Sequence, residues 1–173
     1  MSKYTLLHNP DECIGCQACE VHCKTNKGLQ AGPAPTKIIT VGPVMVNDRP
    51  RVRFVDMPCF HCEEPWCAKV CPTGAMQRRD SDGIVFIQHS LCVGCKSCIL
   101  ACPWGAPQWD PVLRKPVKCD YCKDRLDQGL QPACVTKCVT QCLSLVEASP
   151  LPDDRRQKHA ALVAAGEFAA SGS

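Results

Sequence analysis

The sequence predicts an α+β fold in which short β-hairpins and short helices are arranged around metal sites. Three observations support this prediction. Cysteine accounts for 17 of the 173 residues, aromatic residues make up only 5%, and sixteen of the cysteines fall into four sets of similar spacing. Because so few aromatic side chains are available for a core, we expect the cysteines and the metal they bind to hold the chain together.

The four cysteine sets form an internal repeat, and we number them motifs one to four. In each motif the fourth cysteine follows the third after three intervening residues. In the bacterial C-x2-C-x2-C-x3-C-P pattern, three cysteines bind one iron–sulfur cluster and the fourth binds a neighbouring cluster. Motifs two and three match the end of this pattern, because Pro72 and Pro103 follow their fourth cysteines. The motifs consist of Cys13, Cys16, Cys19 and Cys23; Cys59, Cys62, Cys67 and Cys71; Cys92, Cys95, Cys98 and Cys102; and Cys119, Cys122, Cys134 and Cys138.

The segment between motifs one and two predicts β structure. A loop is expected at Gly32–Pro35, where the sequence is Gly-Pro-Ala-Pro. Three stretches rich in β-forming residues follow: Lys37–Val41, Val44–Asn47 and Arg51–Met57. They predict a small hairpin or sheet.

Two hairpins are predicted beside motifs two and three. Asp80–Gly83 is a strong turn signal, and it lies between the predicted strands 75–79 and 84–88. The second hairpin is predicted from residues 107–109 and 116–118.

The three residues between the third and fourth cysteine of a motif are called its x3 step. Helices are predicted at the x3 step of each motif and at two further places. Within motif four, Asp124–Gln128 predicts a short helix that ends at Gly129. Near the C-terminus, Pro152–Asp154 precedes an alanine-rich stretch and resembles the first turn of a helix.

Composition excludes several classes of protein. No run of about 18 apolar residues occurs, which predicts no membrane-spanning helix. The formal charge of +3 counts the cysteines as neutral thiols, and sixteen metal-bound thiolates would outweigh it. No block of basic residues predicts a nucleic-acid surface. Residues 1–13 contain no signal-peptide core and no twin arginine, which predicts a cytoplasmic location, although export with a signal-bearing partner stays open.

Zinc and disulfides are the alternative uses of so many cysteines. An odd number of cysteines cannot pair completely within one chain, and disulfides need an oxidising compartment. Zinc sites often use CxxC pairs, but zinc would leave the x3 cysteine and its following proline unexplained. Iron–sulfur clusters therefore remain the favoured prediction.

The motifs and their connecting phrases resemble the iron–sulfur subunits that serve dimethyl sulfoxide reductases, formate dehydrogenases, tungsten aldehyde oxidoreductases and related enzymes. The resemblance covers residues 4–148. Besides the four motifs, it rests on Cys23–Thr25, Val52–Val55, Cys71–Met76, Asp82–Val85, Ala101–Gln108 and Lys118–Cys122. It implies two modules like bacterial ferredoxins, one nested within the other. The inner module is residues 51–110, the outer module is 1–50 together with 111–149, and 150–173 form a tail.

The resemblance also implies four [4Fe–4S] clusters with crossed ligation, in which the fourth cysteine of a motif completes the site of the partner motif. We name the implied sites A to D. Site A is Cys13, Cys16, Cys19 and Cys138; site B is Cys23, Cys119, Cys122 and Cys134; site C is Cys59, Cys62, Cys67 and Cys102; site D is Cys71, Cys92, Cys95 and Cys98.

The implied activity is electron transfer without catalysis. The implied partners are a large catalytic subunit that uses a molybdenum or tungsten pterin, and a redox carrier, a flavin subunit or another electron-accepting subunit. Segments 26–50, 123–133 and 149–173 are not needed to bind iron, which favours docking in a complex and leaves end-to-end self-association as a further option. The alternatives are a free polyferredoxin and a subunit of a carbon monoxide dehydrogenase or hydrogenase. No dinucleotide fingerprint or Ser/His/Asp arrangement favours an enzyme.

Several residues near the motifs have weaker signals. Cys142 stands where the family has an alanine, and we expect it to be a small buried residue outside the ligand sets. His22 and His61 adjoin ligands and are expected beside a site or at the surface. Tryptophans next to the cluster loops are expected to keep water from the sulfur atoms: Trp66, Trp104 and Trp109. Lysines next to the motifs are expected to offset cluster charge: Lys24, Lys96, Lys118 and Lys123.

Overall fold

The computed structural model of the chain describes residues 2–148 and residues 153, 156, 157, 160 and 161. Within these residues, eight short strands and five short helices alternate. In chain order they are β1 (Tyr4–His8), α1 (Ala18–Asn26), β2 (Ile38–Val46), β3 (Arg49–Asp56), α2 (Trp66–Lys69), β4 (Met76–Arg78), β5 (Val85–Ile87), α3 (Ser97–Ala101), β6 (Gln108–Asp110), β7 (Lys115–Val117), α4 (Lys123–Leu126), α5 (Ala133–Thr136) and β8 (Leu143–Glu147).

The strands form four antiparallel sheets of two strands each, in the pairs β1–β8, β2–β3, β4–β5 and β6–β7. The two predicted hairpins beside motifs two and three are confirmed as β4–β5 and β6–β7. In the first of them, the Arg79 amide donates to the Ile84 carbonyl, and Gly83 adopts the positive φ of 73° that the tight turn requires.

The β-rich segment between motifs one and two forms one hairpin, β2–β3, which we call the long hairpin. Strand β2 continues through the gap predicted between Val41 and Val44, and a register irregularity marks that position. At Gly42 a Cβ would lie 2.8 Å from the Arg51 carbonyl oxygen, so the chain crosses its partner strand too closely for any other residue. A sheet is therefore confirmed here, with two strands rather than three.

Strands β1 and β8 pair the two ends of the described chain, and neither strand has a clear signal in the sequence. Their register runs from Tyr4 opposite Glu147 to His8 opposite Leu143. The Ala148 amide donates to the Lys3 carbonyl and extends the pairing. Because this sheet joins residues from before motif one and after motif four, it brings those two motifs together.

The helices follow the cysteine motifs. Each x3 step begins inside a helix: the third cysteine of every motif lies in α1, α2, α3 or α5. Among the described helices only α1 exceeds five residues, since Pro72 and Pro103 follow the fourth cysteine of motifs two and three. The helix predicted at 124–128 is confirmed as α4, and Gly129 after it has a φ of 72°.

The tail prediction is tested only in part. Asp153, Arg156, Gln157, Ala160 and Ala161 are helical, which agrees with the predicted helix start. The remaining tail residues of that prediction lie outside the described residues.

The hydrophobic core is divided into three small clusters that all contain cysteines. Fully buried side chains are few in the described chain, and Ile84 and Val85 at the start of β5 are among the most deeply buried. This agrees with the prediction of a thin organic core held together by metal sites. None of the described helices is long or apolar enough to cross a membrane.

Candidate metal centres

The cysteines implied for site D line one small cavity. Cys71 reaches it from the end of the α2 segment, and the other three come from motif three. The Met76 amide donates to the Cys71 sulfur at 3.4 Å, so backbone from β4 helps to fix that thiolate. Four thiols from two motifs therefore meet at one place, which is the geometry of a single cluster site.

The site C cysteines line a second cavity of about 260 Å³. Cys59, Cys62 and Cys67 of motif two share it with Cys102 of motif three. Trp66 and Trp104 also line it, but 62% and 55% of their surfaces are exposed. Their rings therefore shield the sulfur atoms from water only on the inner side, and their outer faces remain available for contact with another molecule.

The site A cysteines meet at a third cavity, and two further residues join them. Cys13, Cys16, Cys19 and Cys138 line this cavity together with His8 and Cys142. The side-chain ligand atoms of His8, Cys13 and Cys142 lie within 4.8 Å of one another. Cys142 is buried as predicted, but its sulfur lies only 3.5 Å from that of Cys138. Comparison with the family pattern did not reveal this proximity, because it showed only that Cys142 stands where the family has an alanine.

The site B cysteines are all buried, unlike those of the other three sites. Burial raises the pKa of Cys23 to about 12, and the nearby Cys122 thiol adds to this effect. Burial likewise raises the pKa of Cys119 and Cys134 far above the ordinary thiol value, and Cys23 contributes in both cases. The Asn26 side-chain amide donates to the Cys122 sulfur at 3.7 Å. These four thiols therefore lie within electrostatic reach of one another inside the protein.

The buried thiols need a positive counter-charge in order to ionise. Burial raises the pKa of Cys19 to about 12 and that of Cys67 and Cys98 to about 11. All seventeen cysteines are free of disulfide bonds. Soft sulfur donors, of which twelve line three cavities in groups of four, fit iron–sulfur clusters, in which the iron supplies that positive charge.

The CxxC loops share one backbone feature. The residue before the second cysteine has a positive φ in every motif: Gly15, His61, Gly94 and Tyr121. At Gly15 a Cβ would lie 2.5 Å from the Phe54 ring, and at Gly94 it would lie 2.8 Å from the Arg114 carbonyl oxygen. In motifs two and four the position carries a ring instead, and the rings of His61 and Tyr121 stack with centroids 3.8 Å apart.

The remaining residues singled out from sequence have different environments. His22 is partly buried, whereas His61 is only 1% exposed. Lys118 is buried, Lys96 is exposed with its ammonium 4.3 Å from the centre of the Trp109 ring, and Lys123 pairs with Asp124. Of the four lysines expected to offset cluster charge, Lys118 alone is fully buried.

Known proteins resemble this chain over most of its length. Residues 50–148 match one 4Fe-4S dicluster domain family, and residues 12–75 match a second family of the same description. The chain is 40% identical to the B subunit of polysulfide reductase from Wolinella succinogenes over 149 residues, which is 85% of this chain and 78% of that protein.

Two further relatives are similar to most of the chain. It is 35% identical to the B subunit of anaerobic dimethyl sulfoxide reductase from Escherichia coli over 170 residues, covering 94% of this chain and 80% of the relative. It is 40% identical to the thiosulfate reductase electron transfer subunit of Salmonella typhi over 144 residues, covering 82% and 74% respectively.

Proposed function

Because the chain belongs to the family of 4Fe-4S dicluster-domain proteins, we propose that it relays electrons between a catalytic oxidoreductase subunit and a redox carrier or further subunit. The observation that carries this proposal is the convergence of twelve cysteine thiols at three cavities, in groups of four, together with four further thiols that are all buried. Four thiolates are the full ligand set of one cubane, so the chain holds four [4Fe–4S] clusters and catalyses no reaction of its own.

We assign the ligands by the crossed pattern. Support comes from the cavities, since those of sites A, C and D each combine three cysteines of one motif with the fourth cysteine of another. For site B, support comes from the mutual effect of its buried thiols on one another's pKa. When bound, each cluster supplies a one-electron redox centre, and the chain orients the thiolates, donates hydrogen bonds to sulfur and excludes water.

The order of the sites along the molecule follows from shared elements, and we propose A–B–C–D. Helix α1 carries Cys19 of site A and Cys23 of site B. Cys119 of site B and Cys59 of site C pack in one buried cluster of side chains. Helix α2 carries Cys67 of site C and leads to Cys71 of site D. Sites A and D are then the two ends of an electron pathway.

The same contacts support nested modules. Residues 51–110 would hold sites C and D, while 1–50 and 111–149 would hold sites A and B, with 150–173 as the tail. The β1–β8 sheet closes the outer module, because it pairs the segment before motif one with the segment after motif four. Because the proposed inner module separates the two halves of the outer module in the sequence, a contact such as this sheet is needed to join those halves.

We further propose that the catalytic partner is a reductase subunit with a molybdenum or tungsten pterin. The named relatives are subunits of polysulfide, dimethyl sulfoxide and thiosulfate reductases, which supports a partner of that class.

A cytoplasmic site of assembly is also part of the proposal, since cysteines stay reduced there and remain free to bind iron.

The test is purification of the protein from its native cells under anaerobic conditions. We expect it to copurify with a large pterin-containing subunit and to contain about sixteen iron and sixteen labile sulfide per chain. Recovery as a free monomer with this iron content would instead favour the diffusible polyferredoxin. Iron near eight per chain, or zinc without sulfide, would overturn the four-cluster assignment.

A further inference from the structure

Sites B and C meet at a buried junction that consists of Cys59, His61, Lys118, Cys119 and Tyr121. Cys59 and Cys119 belong to different sites and pack in the same cluster, which also contains Tyr121. His61 stacks on the Tyr121 ring at a centroid distance of 3.8 Å. In the proposed A–B–C–D order, every electron that passes between the two modules crosses this junction.

Lys118 is the cation of the junction. Its surface is only 4% exposed, and its ammonium donates hydrogen bonds to the carbonyl oxygens of Val85 and Cys119. An ammonium has three N–H donors, so one remains after these two bonds. Lys118 lines the site C cavity and also a larger cavity of about 380 Å³ beside Cys122 of site B. Its side chain therefore lies between the two thiolate sets.

Two other lysines near the sites have a carboxylate partner. Lys27 pairs with Asp120 at 2.5 Å, and Lys123 pairs with Asp124. Within the described residues, Lys118 forms no ion pair with a carboxylate. A buried charge without a counter-charge is strongly unfavourable. The Asp120 carboxylate lines one cavity with Lys118, but its ion-pair partner is Lys27, so the proposed thiolates of site C, which line the other cavity, are left as the counter-charge of Lys118.

His61 does not share this role, because it is held neutral. The Val85 amide donates to its Nδ1 at 2.9 Å, which leaves the ring proton on Nε2. Val85 thus binds His61 through its amide and Lys118 through its carbonyl, and one residue positions both side chains.

Lys118 lines one cavity with all four proposed ligands of site C, whereas its other cavity contains only Cys122 of site B. Its charge therefore lies closer to the complete thiolate set of site C. A fixed positive charge favours the more negative, reduced form of a neighbouring cluster. Its effect is large where burial limits screening by solvent and salt.

We propose that Lys118 sets the reduction potential of the cluster at site C, raises it, and thereby draws electrons across the junction from site B. This inference rests on the proposed function and on the ligand assignment of site C. Lys118 acts through its charge and does not bind iron.

The test is a redox titration of the cluster-loaded full chain, followed by electron paramagnetic resonance. Lys118→Met removes the charge, and we expect one cluster to become at least tenfold harder to reduce, a shift of about 59 mV for one electron. Lys118→Arg keeps the charge and should keep the potential. Cys102→Ser changes a site C ligand and identifies which signal belongs to that cluster.

Lys96→Met is the matched control, because Lys96 also lies beside a motif but is exposed on the Trp109 ring. Because Lys96 lines the cavity of site D and not that of site C, we expect the substitution to leave the potential of the site C cluster unchanged. Lys118→Gln is a second neutral variant, since its amide can still donate to both carbonyls. The proposal fails if a neutral variant retains sixteen iron with unchanged potentials, or if both neutral variants lose the site C cluster, since Lys118 would then serve assembly. Failure of the proposed function would appear separately, as missing iron in the unaltered chain.

Discussion

At the scale of single residues, the position before the second cysteine differs between the motifs: it is glycine in motifs one and three and a residue with a ring in motifs two and four. Gly15 and Gly94 belong to the proposed end sites A and D, and a side chain at these positions would collide with Phe54 or with the Arg114 carbonyl. His61 and Tyr121 belong to the proposed central sites, and their rings contact each other in spite of a positive φ, which costs a non-glycine residue about 1 kcal/mol or more. The contact between these two rings joins motif two to motif four.

Cys142 provides a prediction at this scale. Cys142→Ala should retain all sixteen iron, because every site has four thiols without it. Cys138→Ala should keep a cluster at site A with an altered electron paramagnetic resonance signal, because the Cys142 sulfur lies 3.5 Å away and can replace the lost ligand. The double variant should fall to about twelve iron, since one cubane is lost.

Iron analysis and spectroscopy of the three variants test this prediction. If Cys142→Ala alone loses a cluster, Cys142 is the native ligand and the assignment of Cys138 to site A is wrong. Thr140→Ala is the control, as it removes another neighbour of the Cys138 sulfur without removing a thiol.

At the scale of elements, the short hairpins β4–β5 and β6–β7 support cluster loops, whereas the long hairpin extends beyond what the sites need. Its strands contain nine and eight residues, and Val41, Met45 and Val52 are exposed on it. Arg49 and Arg51 are also exposed there. An exposed apolar surface with cationic neighbours is suited to docking on a larger subunit.

Met45→Asp tests this docking surface. We expect the variant to keep sixteen iron but to bind its catalytic partner at least tenfold more weakly, which corresponds to about 1.4 kcal/mol, because a carboxylate would be buried in an apolar contact. Affinity for the purified partner can be measured by titration calorimetry under anaerobic conditions.

Val112→Asp is the matched control, because Val112 is 68% exposed and Met45 is 67% exposed, and Val112 lies in a different hairpin turn. Equal affinity of the Met45 variant and the unaltered chain for the partner would show that the Met45 region of the long hairpin lies outside the interface. Equal weakening by both substitutions would point to a general effect of added charge.

At the scale of the whole molecule, the clusters should supply much of the folding free energy. The sheets contain two strands each, and two-stranded hairpins are marginal in isolation. The three buried side-chain clusters all contain proposed ligands, so removing metal opens each of them. Binding and folding are therefore coupled.

Oxidative removal of iron in the presence of a chelator should abolish most of the secondary structure in one cooperative step. Far-ultraviolet circular dichroism and iron release should follow the same time course, because every buried cluster of the described chain includes cysteines. Reconstitution with iron and sulfide is the control that excludes irreversible damage. A native spectrum in the metal-free chain would contradict the prediction.

The sequence alone determined the ligand types, the helices at the x3 steps and the two short hairpins, because these depend on local spacing and on turn residues such as Asp80–Gly83. The tertiary structure decided what depends on distant pairing. Strands β1 and β8 have weak local signals, and they are strands because residues about 140 positions apart in the chain hydrogen-bond to each other. The stacking of His61 on Tyr121 and the burial of Lys118 without a carboxylate partner in the described chain likewise depend on residues far apart in the chain, which no local pattern encodes. Cys138 and Cys142 are only four residues apart, and their sulfur atoms meet because the chain turns back between them, with Gln141 at a φ of 56°.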